Sequence, residues 1–169
     1  MPSAIQRMEV FQSVPGLQDM DSFPESASCT FKAGEFVRVG VAADTGKDGQ
    51  LMACAGGTNE LIMGIAAADA SGTTNALCPV QLIYPGITKL RISAYHVTPG
   101  SAVTAQTAVG KVASWSTQSN KSVLNVADIG GSSGDEILAI QGIDSAWAVG
   151  TSYGRYIVTV NSANCQISR

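Results

Sequence analysis

Ala33-Gly-Glu-Phe-Val-Arg-Val39, followed after a run of small residues by Glu60-Leu-Ile-Met-Gly-Ile-Ala66, is the stretch that decides how this chain folds. A glycine-led turn enters a short β-branched strand, and a later apolar strand closes on Gly-Ile. The phrase returns as Pro99-Gly-Ser-Ala-Val-Thr-Ala105 and, after a longer polar stretch, Glu136-Ile-Leu-Ala-Ile-Gln-Gly-Ile143. Side chains alternate across a strand, so Val37, Val39 and Val41 predict one buried face. In each closing strand the separation from glutamate to glycine is even, so the same face can point inward both times. The two middles differ in length, which excludes a solenoid. Two related β-lobes, about 29–95 and 96–169, fit this pattern; so does convergent strand-turn chemistry. The phrase contains no reactive side chain, which points to a structural role.

Working outward, Leu61, Met63 and Ile65 predict a second face, and Val80, Leu82 and Tyr84 a third. Leu90, Ile92 and Ala94 alternate with Lys89, Arg91 and Ser93, the pattern of a half-buried strand. Val109, Val112, Trp115, Val123 and Val126 predict shorter, irregular strands. Tyr156, Val158 and Val160 mark the last strand, with Arg155, Ile157 and Thr159 opposite. Pro15-Gly16, Pro85-Gly86 and Pro99-Gly100 predict type II turns, because proline presets the first φ and glycine accepts the positive second one. Ala66-Ala-Ala-Asp-Ala70 and residues 145–149 could each make one helical turn. The expected fold is all-β, a small β-barrel or β-sandwich of short strands. Residues 29–169 form the β-rich domain. Residues 1–28 read as an extended N-terminal arm, with isolated apolar anchors and three prolines.

Composition sets the function class. The chain has 169 residues, of which 45% are hydrophobic and only 14% charged. So little charge suggests an outer surface covered in part by other chains. A net charge of -3 and a pI near 5.0 argue against binding a nucleic-acid backbone. Residues 1–21 lack the apolar core of a signal peptide, and no run reaches transmembrane length, so neither secretion nor a membrane partner is expected. Cys29, Cys54, Cys78 and Cys165 are widely spaced and His96 is the sole histidine; free thiols are expected rather than a zinc site.

The reactive-looking constellations resolve to turns and core residues. Gly130-Gly-Ser-Ser-Gly134 matches G-x-S-x-G, but a nucleophile elbow needs a following helix, and a strand is expected here. Residues 40–47 imitate a P-loop with one residue too many, and Asp48 stands where a hydroxyl is required. Asp44, Asp48 and Glu60, and next Asp19 with Asp21, are the best carboxylate clusters; a solvated turn accounts for the first better than calcium does. Trp115 and Trp147 suit core or interface, with sugar stacking the alternative. Asn120-Lys-Ser122 is a sequon of chance frequency. No catalytic, cofactor-binding or metal-ligating residue is expected, and no enzyme.

Phe31-Lys-Ala-Gly-Glu-Phe-Val-Arg-Val39, Leu61-Ile-Met-Gly-Ile-Ala-Ala-Ala-Asp-Ala70 and Pro79-Val-Gln-Leu-Ile83 resemble strand phrases of the small capsid decoration (cement) proteins of tailed bacteriophages. The resemblance covers roughly residues 31–110. It implies a β-rich virion protein on the outer capsid surface, made in the host cytoplasm. Its partners would be the major capsid protein and itself, as a homotrimer or a dimer, and it would clamp adjacent capsid subunits. Phe11, Val14, Leu17 and Phe23 are the expected partner-binding anchors of the arm. The competing expectation is a host- or glycan-binding β-domain of a head fibre or adhesin.

Overall fold

The computed structural model describes residues 8–12, 20–56, 61–98, 101, 103–131, 137–144 and 154–167. Among them are twelve strands: β1 (Glu9–Gln12), β2 (Met20–Pro24), β3 (Phe36–Val39), β4 (Leu51–Ala53), β5 (Gly64–Ala66), β6 (Leu77–Leu82), β7 (Lys89–Tyr95), β8 (Val112–Ala113), β9 (Trp115–Thr117), β10 (Ser122–Asn125), β11 (Leu138–Ile143) and β12 (Arg155–Val160). Three single-turn 3-10 helices, Gln106–Ala108, Val126–Asp128 and Ser162–Asn164, are the helical structure there. The fold is all-β, as the alternation and turn spacing require.

Five strands form a small barrel in the order β2-β6-β5-β3-β4, each pairing antiparallel with the next. The chain leaving β2 returns to β4: Glu25 bridges Leu51, and the Ser26 N–H donates to Leu51 O at 3.0 Å. That contact nearly closes the ring around Phe31, Val37, Leu51, Ala66, Cys78, Val80 and Leu82. The glycine-led turn begins it. The Glu35 N–H donates to Lys32 O, the Glu35 carboxylate accepts the Lys32 N–H at 2.7 Å, and Gly34 supplies φ +91°. Tyr84-Pro85-Gly86-Ile87 is the expected type II turn: the Ile87 N–H donates to Tyr84 O, and Gly86 has φ +68°.

Seven strands form the second sheet, in the order β8-β11-β12-β7-β10-β9, with β1 also on β7. β12 runs along one edge of β7. β1 pairs with Lys89–Arg91 and β10 with Ala94–Tyr95, so these two share the other edge end to end. Leu90, Ile92, Tyr156, Val158, Val160, Leu138 and Ile140 face one core. Phe36 and Ile65 belong to that core too, while their neighbours Val37 and Ala66 line the barrel. β3 and β5 are therefore a shared wall, buried on both faces. On its second-core side Phe36 makes a T-shaped contact with Trp115, centroids 5.0 Å apart, and the Phe36 N–H donates to Ser122 Oγ at 2.9 Å.

Four sequence expectations are corrected. β3 ends at Val39, and Val41 stands 46% exposed in the next turn. Ile62 is the buried residue of its segment and Leu61 is exposed, because Ile62 bridges Cys165 before β5 begins. Residues 66–70 form no helical turn: the Ala67 and Ala70 N–H groups donate to Pro79 O and Phe31 O instead. The shared parity of the two closing strands fails, because β11 carries a bulge between Ile140 and Gly142. Residues 145–149, Pro15-Gly16 and Pro99-Gly100 lie outside the described residues.

Both strands of the N-terminal segment that are described sit in sheets, β1 on β7 and β2 on β6. The C-terminal segment returns to the barrel. The Gln166 amide grips the Val39 backbone from both sides, Oε1 accepting its N–H and Nε2 donating to its carbonyl, each at 2.6 Å.

Candidate functional site

β6 and β2 stand at one end of the five-stranded order. Cys78, Val80 and Leu82 point inward along β6, so Leu77, Pro79 and Gln81 point outward. Directly opposed residues share a face, and the register is Met20↔Gln81, Ser22↔Pro79 and Pro24↔Leu77. Six residues thus make one outward strip, and none is charged. Leu77 is 70% and Met20 49% exposed, unusual for side chains of that size.

The free edge of β2 is poorly suited to accept another strand. Asp21 Oδ1 takes the Ser22 N–H at 2.7 Å, Pro24 has no N–H, and Ser26 is already bonded to Leu51. These are the devices that protect an edge from strand addition. The strip offers its face, not its backbone.

Beside the strip, Gln81 also lines a cavity of about 270 Å³, together with Met8, Glu9, Ile65, Ala66 and Ala67. It lies where β1 meets the barrel. Glu9 Oε1 accepts from Arg91 at 3.3 Å and from Arg155 at 3.1 Å. Arg91 also faces Asp144 at 3.4 Å. Two carboxylates and two guanidiniums balance, and they tie β1 to β7 and β12. The cluster sits on the sheet face opposite the core, where alternation alone predicted only a solvated Lys89-Arg91 pair.

The sequence candidates fall elsewhere. Phe23 lies in β2 opposite Cys78, half-buried and packed against the barrel core. Phe11 lies in β1, while Val14 and Leu17 are outside the described residues. Trp115 is 4% exposed and packs in the second core; Trp147 lies outside the described residues. Asp44 receives the Arg38 guanidinium in a two-pronged pair at 2.7 and 2.9 Å, and it accepts the Val41 N–H. The Arg38 fork, helped by that N–H, holds its carboxyl well below the usual carboxylate range. Glu60, Asp19 and residues 132–136 of the glycine loop are outside the described residues. His96 Nδ1 accepts the Thr98 N–H at 2.9 Å. Asn120 sits in a hairpin turn, with Ser119 and Asn120 at φ +51° and +58° and Gln118 and Lys121 exchanging backbone bonds.

All four cysteines are free thiols. Burial pushes the Cys165 thiol up, and burial with the charge of Glu25 does the same to Cys78. Both are poor nucleophiles as a result. Among the described residues, no three His, Cys, Asp or Glu side chains gather to hold a metal ion.

One residue invisible to pattern reading is Glu25, 2% exposed. Its carboxylate accepts the Ser71 N–H, the Ser71 hydroxyl and the Gly72 N–H at 2.9–3.1 Å. It clasps the barrel seam to the loop before β6. No sequence signal marks it, since its donors lie 46 and 47 residues away. No family model, curated protein or solved structure matches this chain.

Proposed function

We propose that the chain is a structural virion protein that binds the outer surface of a tailed-phage head and cements adjacent major capsid subunits. The observation that carries this reading is the uncharged strip on β2 and β6, with Leu77 and Met20 open to solvent on an otherwise filled barrel. The strand phrases that resemble decoration proteins occupy β3, β5 and β6 of the same barrel. The polar groups around it support a scaffold: Glu25, Glu35, Asp44 and Asp69 are all engaged in turns or ion pairs.

The work is association alone. Burying a Leu or Met side chain contributes about 1.5–3 kcal/mol. Each contact is modest, and many copies on one shell, or copies joined in a trimer, multiply it through effective concentration.

The test is co-sedimentation of the purified chain with heads assembled from the major capsid protein of the same phage, followed by thermal challenge of the heads. Saturable binding and a raised disruption temperature are expected. Absence of head binding combined with a glycan-array signal overturns the reading in favour of the adhesin class. Deleting residues 1–24 is a poor test, because it removes β1 and β2 along with the arm.

A further inference from the structure

We infer that β1 is an exchangeable strand: it leaves the edge of β7 and is replaced there by the β1 of a second copy of this chain. The inference concerns how copies join one another and does not depend on what else the protein binds.

β1 is held less firmly than its counterpart on the other edge of β7. It has four residues, its register slips between Val10 and Gln12, and among the described residues it pairs with β7 alone. β12 has six residues, pairs with β7 in unbroken register and is flanked by β11. Where β1 meets the barrel, a cavity of about 270 Å³ remains, with Met8 and Glu9 on one side and Ile65 and Gln81 on the other. Packing there is incomplete. A short, loosely packed strand opens locally more readily than the whole fold.

The edge it leaves is a specific acceptor. Lys89–Arg91 then presents backbone N–H and C=O groups that invite strand addition. β10 already holds Ala94–Tyr95, so only a short strand fits. Met8, 2% exposed, leaves an apolar seat in the second core, and Val10 packs against that same core. On the opposite face Glu9 spans the Arg91 and Arg155 guanidiniums at 3.3 and 3.1 Å, and its departure makes that face more positive. The occupant must therefore carry an acid between two apolar residues. Met8-Glu9-Val10 does so, and its fit is visible in the closed chain. A second copy brings the identical segment. Exchange keeps the contacts of β1 and needs no others, so it is governed by the concentration of copies.

The experiment mixes two full-length variants, Glu9→Arg and Arg91→Glu. Each sets like charges across the Glu9↔Arg91 pair, and neither chain can relieve the conflict alone. Exchange between the two kinds sets opposite charges across both pairs. Thermal melts first establish that each variant folds. Sedimentation of the mixture is expected to show a one-to-one heterodimer at least tenfold tighter than the self-association of either variant. The control mixes Glu9→Arg with Lys111→Glu, which reverses an exposed charge just before β8, at the far end of the sheet order. A mixture no tighter than its components, or a control mixture equally tight, overturns the exchange. If either variant fails to fold, the parent chain decides. Its β1 amides should exchange with solvent at least tenfold faster than those of β12, and it should dimerise on concentration. Equal protection of the two strands, or a parent that stays monomeric when concentrated, then overturns the inference.

Discussion

Gly64 in β5 and Gly142 in β11 stand at the same place in the repeated phrase. A Cβ on Gly64 would lie 2.4 Å from Gln81 O and 2.5 Å from Val80 Cγ1, while one on Gly142 would meet nothing within 4 Å. β5 is wedged between β3 and β6 in a narrow barrel, so its backbone approaches too closely for a side chain. β11 lies in the more open sheet, beside its own bulge, where space is left over. The same two letters thus answer a steric demand in one half and none in the other. A repeated phrase specified two strands; it did not specify two equivalent environments.

The sharpest way to break this contrast is to attack the wall the halves share. Phe36→Ala removes a fully buried ring from the Phe36–Trp115 contact and should cost about 3–5 kcal/mol in urea unfolding. A cost below about 1 kcal/mol would show that the Phe36 ring contributes little to the second core.

Next comes the glycine pair itself. Gly64→Ala should destabilise by about 3 kcal/mol, because a backbone carbonyl must move. Gly142→Ala should change stability by less than about 0.5 kcal/mol. Equal effects in denaturant titrations would erase the distinction.

The two glutamates that fasten the halves differ in the same way. Glu25→Gln leaves buried N–H donors facing an amide and should cost about 2 kcal/mol. Glu9, whose side chain is half exposed but whose partner Arg155 is buried, should cost about 1 kcal/mol as Glu9→Gln, since the exposed carboxylate is screened while the guanidinium stays buried. Chemical denaturation of both variants checks the ratio.

The smallest effect is on the acid limb. The folded Asp44 carboxyl titrates below its unfolded range, because Arg38 favours the charged form. Its contribution is present above the unfolded value, about 3.9, and is lost as pH falls toward the folded one. Asp44→Asn should therefore lower the melting temperature at pH 7, where the contribution is present, and flatten the fall below about pH 4, where the parent loses it. An unchanged acid limb would show that Asp44 is idle.

Alternation read β6, β7 and β12 correctly, because each is long enough for its buried face to repeat. It misread Val41 and Leu61, since β3 and β5 are four and three residues long and the chain turns just beyond them. The strip was hidden because an outward Leu77 and an inward Leu82 are the same letter; only register tells them apart. Trp115 was offered as core or interface, and it packs in the second core beneath Phe36.

By itself the sequence determined an all-β chain of short strands, its type II turn at Pro85-Gly86 and the buried faces of β6, β7 and β12. Those depend on period-two patterning and on φ preferences, which are local. Only tertiary structure decided that Glu25 seals a barrel with Leu51, that β3 and β5 are buried on both faces, and that Leu77 stands open opposite Pro24. Those depend on residues brought together across dozens of positions, and local pattern carries no record of which strands will meet.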